Sequence, residues 1–259
     1  MSDYVLPHQL QGEQRRLALM SELLDPWHRS LLKMVGLQPG WWCLEVGCGN
    51  GSISQWLSAQ VTGGSVVATD LDTSYISKLR GPNLNARRLD ILEGTIETNA
   101  YDLVTARAVL HHLPDRQKAI HQMVRALKPG GVLLCIEPDF LPATAAEPEP
   151  LRRFWQGWLQ WSVSAGIDYF VGRKIPSLLT NAGLQQVEAV GNTAIYNGVS
   201  PWATYWLETV TELRPKLLQS GHVSEESLGV LEQFYRDPEH WTSAITFVGA
   251  WGYRMSERD

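Results

Sequence analysis

The sequence contains little cysteine: three residues, Cys43, Cys48 and Cys135, in a chain of 259. The number is odd and no two are spaced as CxxC, so neither a disulfide framework nor a cysteine-based zinc site is indicated. Three thiols of this kind are typical of a reducing compartment. The first 20 residues are polar and charged, unlike a signal peptide. We therefore expect a cytoplasmic protein.

Long hydrophobic runs and clustered basic residues are missing as well. No stretch reaches the roughly 18 apolar residues of a membrane span. The net charge is -5, and the densest basic spots, Arg87-Arg88 and Arg152-Arg153, are too short to form a nucleic-acid-binding surface. No group of histidine and acidic residues has the spacing of metal ligands. We expect a small-molecule partner, no nucleic acid, no membrane and no metal, and the sequence leaves the oligomeric state open.

Short apolar runs separated by helical or loop stretches begin at residue 41. They are WWCLEVG, GSVVATD, ARRLD, YDLVTAR and GVLLCIE. Apolar runs without polar alternation are typical of strands buried on both faces of a parallel sheet. Strands that alternate with helices predict an α/β doubly wound fold.

The rest of the chain predicts helical segments around this core. Residues 1–36 form a helical lid, in which Pro26 is expected to divide two helices. Residues 37–137 form the α/β core, with a turn at Lys128–Gly131 before the fifth strand. Residues 138–259 complete the sheet through about 174–197 and 243–254. Helical insertions at about 138–172 and 198–240 form a cap.

A glycine-rich turn lies in LEVGCGNGSISQWL, residues 44–57, between a strand and a helix. Glycines allow a ligand to approach backbone N–H groups closely. A dinucleotide turn reads GxGxxG, whereas here Gly47, Gly49 and Gly51 are followed by Ser52. Glu45 would repel a pyrophosphate but can pair with an ammonium group. The turn therefore predicts a nucleoside without phosphates that carries a cationic tail, with Cys48 contributing its backbone.

The motif Glu45-x-Gly47-x-Gly49-x-Gly51 resembles the (D/E)xGxGxG motif of class I S-adenosylmethionine-dependent methyltransferases. VVATD, RRLDI and YDLVTARAVLHHL match later motifs of that family in the same order. ARAVLHHLPD and LKPGG resemble the ubiquinone/menaquinone-biosynthesis type, which acts on small molecules. The resemblance implies a Rossmann-like seven-stranded sheet whose last strand is antiparallel, S-adenosylmethionine as methyl donor and S-adenosylhomocysteine as product.

The same resemblance implies roles for individual residues. Asp70 takes both ribose hydroxyls, as an ionised carboxylate can accept two hydrogen bonds. Leu71 lies against the adenine, while Asp90 and the backbone of Ile91 meet its polar edge. The remaining cofactor contacts are expected from the methionine side and from the lid: Ala106, Arg107 and Tyr4.

Methyl transfer from a sulfonium is a direct displacement, so a base is needed only if the acceptor must lose a proton. His111, His112 and Glu137 are the catalytic candidates, because they follow the fourth and fifth strands at the edge where ligands bind in such sheets. The alternative is structural: the histidines cap or pack, and Glu137 orients a loop.

The acceptor is expected beneath the cap. Asp168 and Arg173 either bind it or pair with each other. Seven of the 11 tryptophans follow residue 150, and such aromatic stripes are core or line a pocket for a flat, apolar or aromatic secondary metabolite. The predicted acceptor-binding residues are His8, Trp155, Trp158, Asp168, Tyr169, Arg173, Trp202 and Trp206.

Three alternatives to methyl transfer stay open at this point. The cofactor could be retained for a non-methylating cyclisation or rearrangement. An NAD-dependent oxidoreductase would share Asp70 and the turn, although Glu45 and Ser52 fit it poorly. A non-enzymatic scaffold would have no need of both Asp70 and Asp90.

Overall fold

The computed structural model describes residues 12–255. The strands are β1 (Trp42–Val46), β2 (Ser65–Asp70), β3 (Leu84–Arg88), β4 (Tyr101–Arg107), β5 (Leu127–Asp139), β6 (Gln185–Thr193) and β7 (Thr246–Tyr253). The helices are α1 (Glu13–Met34), α2 (Ser52–Gln60), α3 (Arg116–Ala126), α4 (Leu141–Thr144), α5 (Glu149–Ser164), α6 (Ile175–Asn181), α7 (Pro201–Gln219) and α8 (Glu225–Phe234). Short 3-10 turns cover Ile76–Lys78, Leu110–His112 and Gly172–Lys174.

All seven strands form one sheet in the order β3-β2-β1-β4-β5-β7-β6. β1 to β5 run parallel, and β7 is antiparallel to both of its neighbours. The chain order reverses between β1 and β4, which is the switch point where open α/β sheets bind ligands. The predicted fold class is confirmed, including the antiparallel last strand.

The central strands lie where their sequences predict, because apolar side chains fill both faces. In β1, Cys43 and Leu44 are fully buried, and in β5 the run from Val132 to Ile136 is buried without interruption. Alternating side chains of such a strand point to opposite faces, so both faces need a covering helix layer. Because β1, β2 and β4 run parallel, their carboxyl ends lie at the same edge of the sheet.

Two local predictions are wrong. Pro26 does not divide the N-terminal segment, since α1 is continuous from Glu13 to Met34. Pro26 lies on the exposed side, whereas Leu24, Asp25 and His28 of the same turn are buried, and their packing outweighs the local cost of proline, about 3 kcal/mol.

Lys128–Gly131 is a bulge within β5 and not a turn before it. Leu127 pairs with Tyr101 while Val132 pairs with Leu103, so extra residues bow out of the strand. Gly130 supplies the positive φ of 79° that the bulge needs. None of the helices in residues 12–255 is long and apolar enough to cross a membrane.

Candidate functional site

The glycine turn after β1 has the conformation that the sequence predicts. Gly47, Gly49 and Gly51 have φ values of 67°, 55° and 76°, in the left-handed region that favours glycine. A Cβ at Gly47 would overlap Val109, and one at Gly49 would lie 3.5 Å from Leu17. At Gly47 both the space and the backbone dihedral require glycine, and at Gly49 and Gly51 the positive φ favours it. The Cys48 thiol is buried and free, and its backbone N–H donates to the Thr69 carbonyl across 2.9 Å.

Asp70 joins the end of β2 to this turn. Its Oδ2 accepts the Gly49 N–H at 2.8 Å, and its Oδ1 accepts the Asp72 N–H at 3.2 Å. The carboxylate therefore lies beside the glycine backbone, and its predicted contact with ribose hydroxyls stays a prediction. Leu71, next in the chain, is 47% exposed, unusual for a leucine at the end of a buried strand.

Glu45 lies beneath the turn and is 4% exposed. The Ser54 hydroxyl, on the first turns of α2, donates to its carboxylate. Burial raises the pKa of Glu45 to about 7, while Ser54 and Arg107 act in the opposite direction. Asp25 and Asp70 raise the same pKa, so these carboxylates share one electrostatic environment.

Arg107, at the end of β4, forms an ion pair that the sequence analysis missed. Its Nη1 donates to Asp25 Oδ1 on α1 at 2.9 Å, and the two side chains are 10% and 7% exposed. Asp25 also accepts from the Ser52 hydroxyl and from Arg29. Ser21 and Asp25, two polar residues spaced four apart on one side of α1, were the available signal. Ala106 is fully buried behind Arg107.

Asp90 and Ile91 follow β3 at the same edge. Asp90 Oδ1 accepts the Leu92 N–H at 2.9 Å, which folds the loop back on itself. Ile91 is buried at 6% exposure. The predicted adenine contacts stay a prediction, and both residues lie at the edge where that prediction requires them.

Glu137 organises the loop that leaves β4. It is fully buried, and it accepts the N–H groups of Val109 and Leu110 at 2.8 Å and of His111 at 3.2 Å. The His111 ring Nδ1 lies 2.7 Å from Glu137 Oε2. Burial raises the pKa of Glu137 to about 7 despite these backbone donors. Both oxygens already accept backbone N–H groups, so we assign His111 Nδ1 as a further donor.

That assignment leaves His111 Nε2 as an acceptor. Burial lowers the pKa of His111 to about 3, and the charges of Arg116 and Arg16 contribute to the shift. The pKa of His112 is also well below its usual range because of burial and of neighbouring His111. The His111 ring stacks on Tyr169 with centroids 5.5 Å apart. Two neutral imidazoles thus lie at the sheet edge, beside an aromatic ring of the predicted acceptor set.

Arg16 of α1 is a second residue that sequence reasoning missed. It is 4% exposed, forms a two-pronged ion pair with Glu13, and donates to the Tyr205 hydroxyl of α7 at 3.3 Å. A side-chain hydrogen bond therefore links α1 directly to α7.

The cap tryptophans mostly form interior packing. Trp155 and Trp158 are fully buried and Trp206 is 2% exposed, whereas Trp202 is half-buried. Edge-to-face contacts with centroids about 5–6 Å apart connect most of this aromatic cluster. The aromatic cluster comprises Phe140, Phe154, Trp155, Trp158, Tyr169, Tyr205, Trp206 and Tyr235. Tyr169 extends it to His111.

Asp168 and Arg173 do not pair with each other, as one alternative held. Asp168 accepts from Lys174 at 2.6 Å, and Arg173 binds both oxygens of Asp139 at 2.5 and 2.6 Å. The 3-10 turn at Gly172–Lys174 directs the two basic side chains to different carboxylates. Their role in acceptor binding stays a prediction.

Tyr4 and His8 lie outside the described residues, so their predicted contacts stay predictions. In residues 12–255 no group of three or more histidine, cysteine or acidic side chains is arranged to hold a metal ion.

Comparison with known proteins places this site in a family. A family model described as a methyltransferase domain matches residues 44–135. The demethylmenaquinone methyltransferase of Oceanobacillus iheyensis is 32% identical over 119 residues, 43% of this chain and 50% of that protein. The Bacillus cereus (strain B4264) enzyme of the same name is 29% identical over 205 residues, 68% of this chain and 84% of that protein. The matched part thus spans half of the first relative and most of the second.

A solved structure shares the fold across almost the whole chain. It is a Haemonchus contortus phosphoethanolamine N-methyltransferase 2 in complex with phosphomonomethylethanolamine and S-adenosylhomocysteine. The TM-score is 0.60 at 17% identity, with 97% of this chain and 60% of that chain covered. This likeness agrees with the sheet order and concerns the fold. Over residues 44–135 the chain matches a methyltransferase domain, and it is similar to demethylmenaquinone methyltransferases, which supports the predicted resemblance to class I S-adenosylmethionine-dependent methyltransferases of the ubiquinone/menaquinone-biosynthesis type.

Proposed function

We propose that the protein transfers a methyl group from S-adenosylmethionine to a small, largely apolar or aromatic metabolite. One observation carries the proposal: a turn with three glycines at positive φ lies beside the carboxylates of Glu45 and Asp70, at the switch point of the sheet. The charge of nearby Arg107 is balanced by Asp25, so Glu45 and Asp70 are the carboxylates that give this edge its negative character. Such a site favours a cation over a pyrophosphate.

Each part of a cationic nucleoside has a partner at this edge. Asp70 would accept the ribose hydroxyls, and Leu71 and Ile91 would flank the adenine, with Asp90 at its amino group. Glu45 would face the ammonium of the amino-acid tail, and Arg107 its carboxylate. Cys48 and Ala106 would contribute backbone and close packing.

S-adenosylmethionine, when bound, supplies an electrophilic methyl group on its sulfonium. The protein's own residues would align the acceptor, exclude water and receive a proton. Glu137 would hold the Nδ1–H tautomer of His111, so that Nε2 faces the acceptor as a proton acceptor. A histidine whose pKa is near 3 is a weak base, so it can take a proton only from an acceptor that is itself readily ionised. We therefore favour an acceptor whose hydroxyl is acidic, a phenol or enol, over an aliphatic alcohol.

The cap supports an apolar acceptor. Residues 1–36, 138–172 and 198–240 would form the lid and cap over the core of residues 37–137, with Tyr4 and His8 on the lid. Trp202 is the one aromatic side chain of the predicted set, among the described residues, that is half-buried, whereas Tyr169 is 9% exposed. Relatives named demethylmenaquinone methyltransferases favour a quinol-like aromatic ring.

The three buried, free cysteines support a reducing, cytoplasmic location. The net charge of -5 supports a small-molecule partner over nucleic acid.

Calorimetric titration with S-adenosylmethionine, S-adenosylhomocysteine and NAD tests the cofactor. We expect micromolar binding of the first two and none of NAD; the reverse would overturn the proposal. Incubation with methyl-labelled donor and a panel of phenols, hydroquinones and aliphatic alcohols then tests the reaction. Acceptor conversion without formation of S-adenosylhomocysteine would show a non-methylating reaction instead.

A further inference from the structure

Helix α1 contacts the edge of the sheet at which β1, β2 and β4 end, here called the cofactor edge, through one side of the helix. Leu17, Ser21 and Asp25 are spaced by four, so they lie along one side of the helix. Asn50 Nδ2 donates to Ser21 Oγ at 3.0 Å, and Ser52 Oγ donates to Asp25 Oδ1 at 3.1 Å. We call these contacts the polar seam. It joins α1 to the glycine turn directly.

Asp25 is the member of the polar seam that also reaches β4. Its Oδ1 accepts from both Ser52 and Arg107, and its Oδ2 accepts from Arg29 at 3.0 Å. At 5% exposure, a carboxylate with three donors is held in one orientation. One side chain therefore fixes the guanidinium of Arg107 relative to the start of α2.

We propose that Asp25 is a positioning residue that holds Arg107 for the carboxylate of the cofactor's amino-acid tail. The inference rests on the proposed function. Without Asp25, the two guanidinium groups of Arg29 and Arg107 lose their common counter-ion, and Arg107 loses its fixed orientation. The adenosine part is bound elsewhere, at Asp70 and the β3 exit, and does not depend on this ion pair.

The experiment compares two ligands that differ only in the tail. S-adenosylhomocysteine carries the amino-acid group, and 5′-methylthioadenosine lacks it. We expect Asp25→Asn to weaken S-adenosylhomocysteine by roughly tenfold or more, as for a lost charge-assisted contact, while 5′-methylthioadenosine changes less than twofold. Glu22→Gln removes an exposed carboxylate of the same helix and should change neither. Ser21→Ala loosens the polar seam without touching Arg107, and should affect both ligands equally and slightly.

If Asp25→Asn folds poorly, a double variant still tests the inference. Asp25→Asn/Arg107→Gln removes both charges of the pair, which leaves no unpaired partner between them. Its preference for S-adenosylhomocysteine should equal that of Arg107→Gln alone. An equal loss for both ligands in Asp25→Asn, no loss, or tighter binding of S-adenosylhomocysteine would overturn the inference. If the wild-type protein binds neither nucleoside, the proposed function itself is wrong, and the role of Asp25 is not what failed.

Discussion

The cofactor edge and the aromatic cluster of the cap are built in opposite ways. At the cofactor edge, Asp25 and Asp70 each accept hydrogen bonds that join separate segments of the chain. In the cap, the buried indole N–H of Trp158 has no acceptor among the described residues, and ring packing supplies the stabilisation. The first region is polar and joined by hydrogen bonds, and the second is mainly a hydrophobic core.

The largest expected effect tests whether the aromatic cluster is core. Trp158→Ala should reduce the free energy of unfolding by about 3–5 kcal/mol, because it opens a large cavity in a fully buried position. Denaturant unfolding measures this change. Trp241→Ala, at a position 63% exposed, is the matched control and should change stability by less than about 0.5 kcal/mol.

The same Trp158 variant should keep its affinity for S-adenosylhomocysteine within about twofold. If stability is nearly unchanged while the acceptor KM rises strongly, Trp158 lines the acceptor pocket and the comparison between the two regions fails.

The next largest effect is expected on cofactor affinity, at Asp70. Asp70→Ala should weaken cofactor binding by about 2–3 kcal/mol, as for the loss of charge-assisted hydrogen bonds. Calorimetry against S-adenosylhomocysteine measures it, with the exposed Glu149→Gln as control. An unchanged affinity would reject the ribose role of Asp70.

The two regions also differ in how far the sequence predicts them. The glycine turn and Asp70 were predictable because backbone conformation and strand ends are encoded within a few residues. The ion pair of Asp25 with Arg107 joins residues 82 apart in sequence, and no local pattern selects that partner. Arg173 similarly binds Asp139 and not Asp168, because the choice between carboxylates depends on the path of a 3-10 turn.

Pro26 and the tryptophans show that tertiary packing also limits what the sequence predicts. A proline indicates a helix break locally, but burial of the same turn keeps α1 continuous. Helical spacing of Trp155 and Trp158 predicted a shared face, and only the folded chain shows that this face is closed by Phe140, Trp206 and Tyr235.

An intermediate effect is expected at the junction of the two regions. Glu137→Gln places an amide N–H₂ against backbone N–H donors that now meet a carboxylate. We expect a loss of about 1–3 kcal/mol in stability, measured by thermal unfolding. Methyl transfer should fall more than cofactor affinity, because the loop carries His111. A fall in cofactor affinity with normal stability would contradict this positioning role.

The smallest expected effect is a pH dependence of cofactor binding through Glu45. Burial raises its pKa to about 7, so at pH 6 the free protein carries a mostly neutral Glu45. An ammonium group pairs only with the ionised form, so binding lowers this pKa and releases a proton. Affinity for S-adenosylhomocysteine should therefore rise by roughly tenfold between pH 6 and pH 8 and level off above the free-protein pKa.

Titration in two buffers with different heats of protonation measures the proton release directly. 5′-Methylthioadenosine, which has no ammonium group, should bind with little pH dependence. Glu45→Gln keeps the hydrogen-bonding shape next to Ser54 but cannot ionise, so it should bind S-adenosylhomocysteine with an affinity independent of pH. If the variant keeps the wild-type pH profile, the titrating group is another one, and Glu45 then serves only to hold α2 against the strand. If the profile disappears, the Glu45 carboxylate faces the ammonium group of the cofactor tail. Glu45, although buried, then belongs to the cofactor-binding residues of this edge.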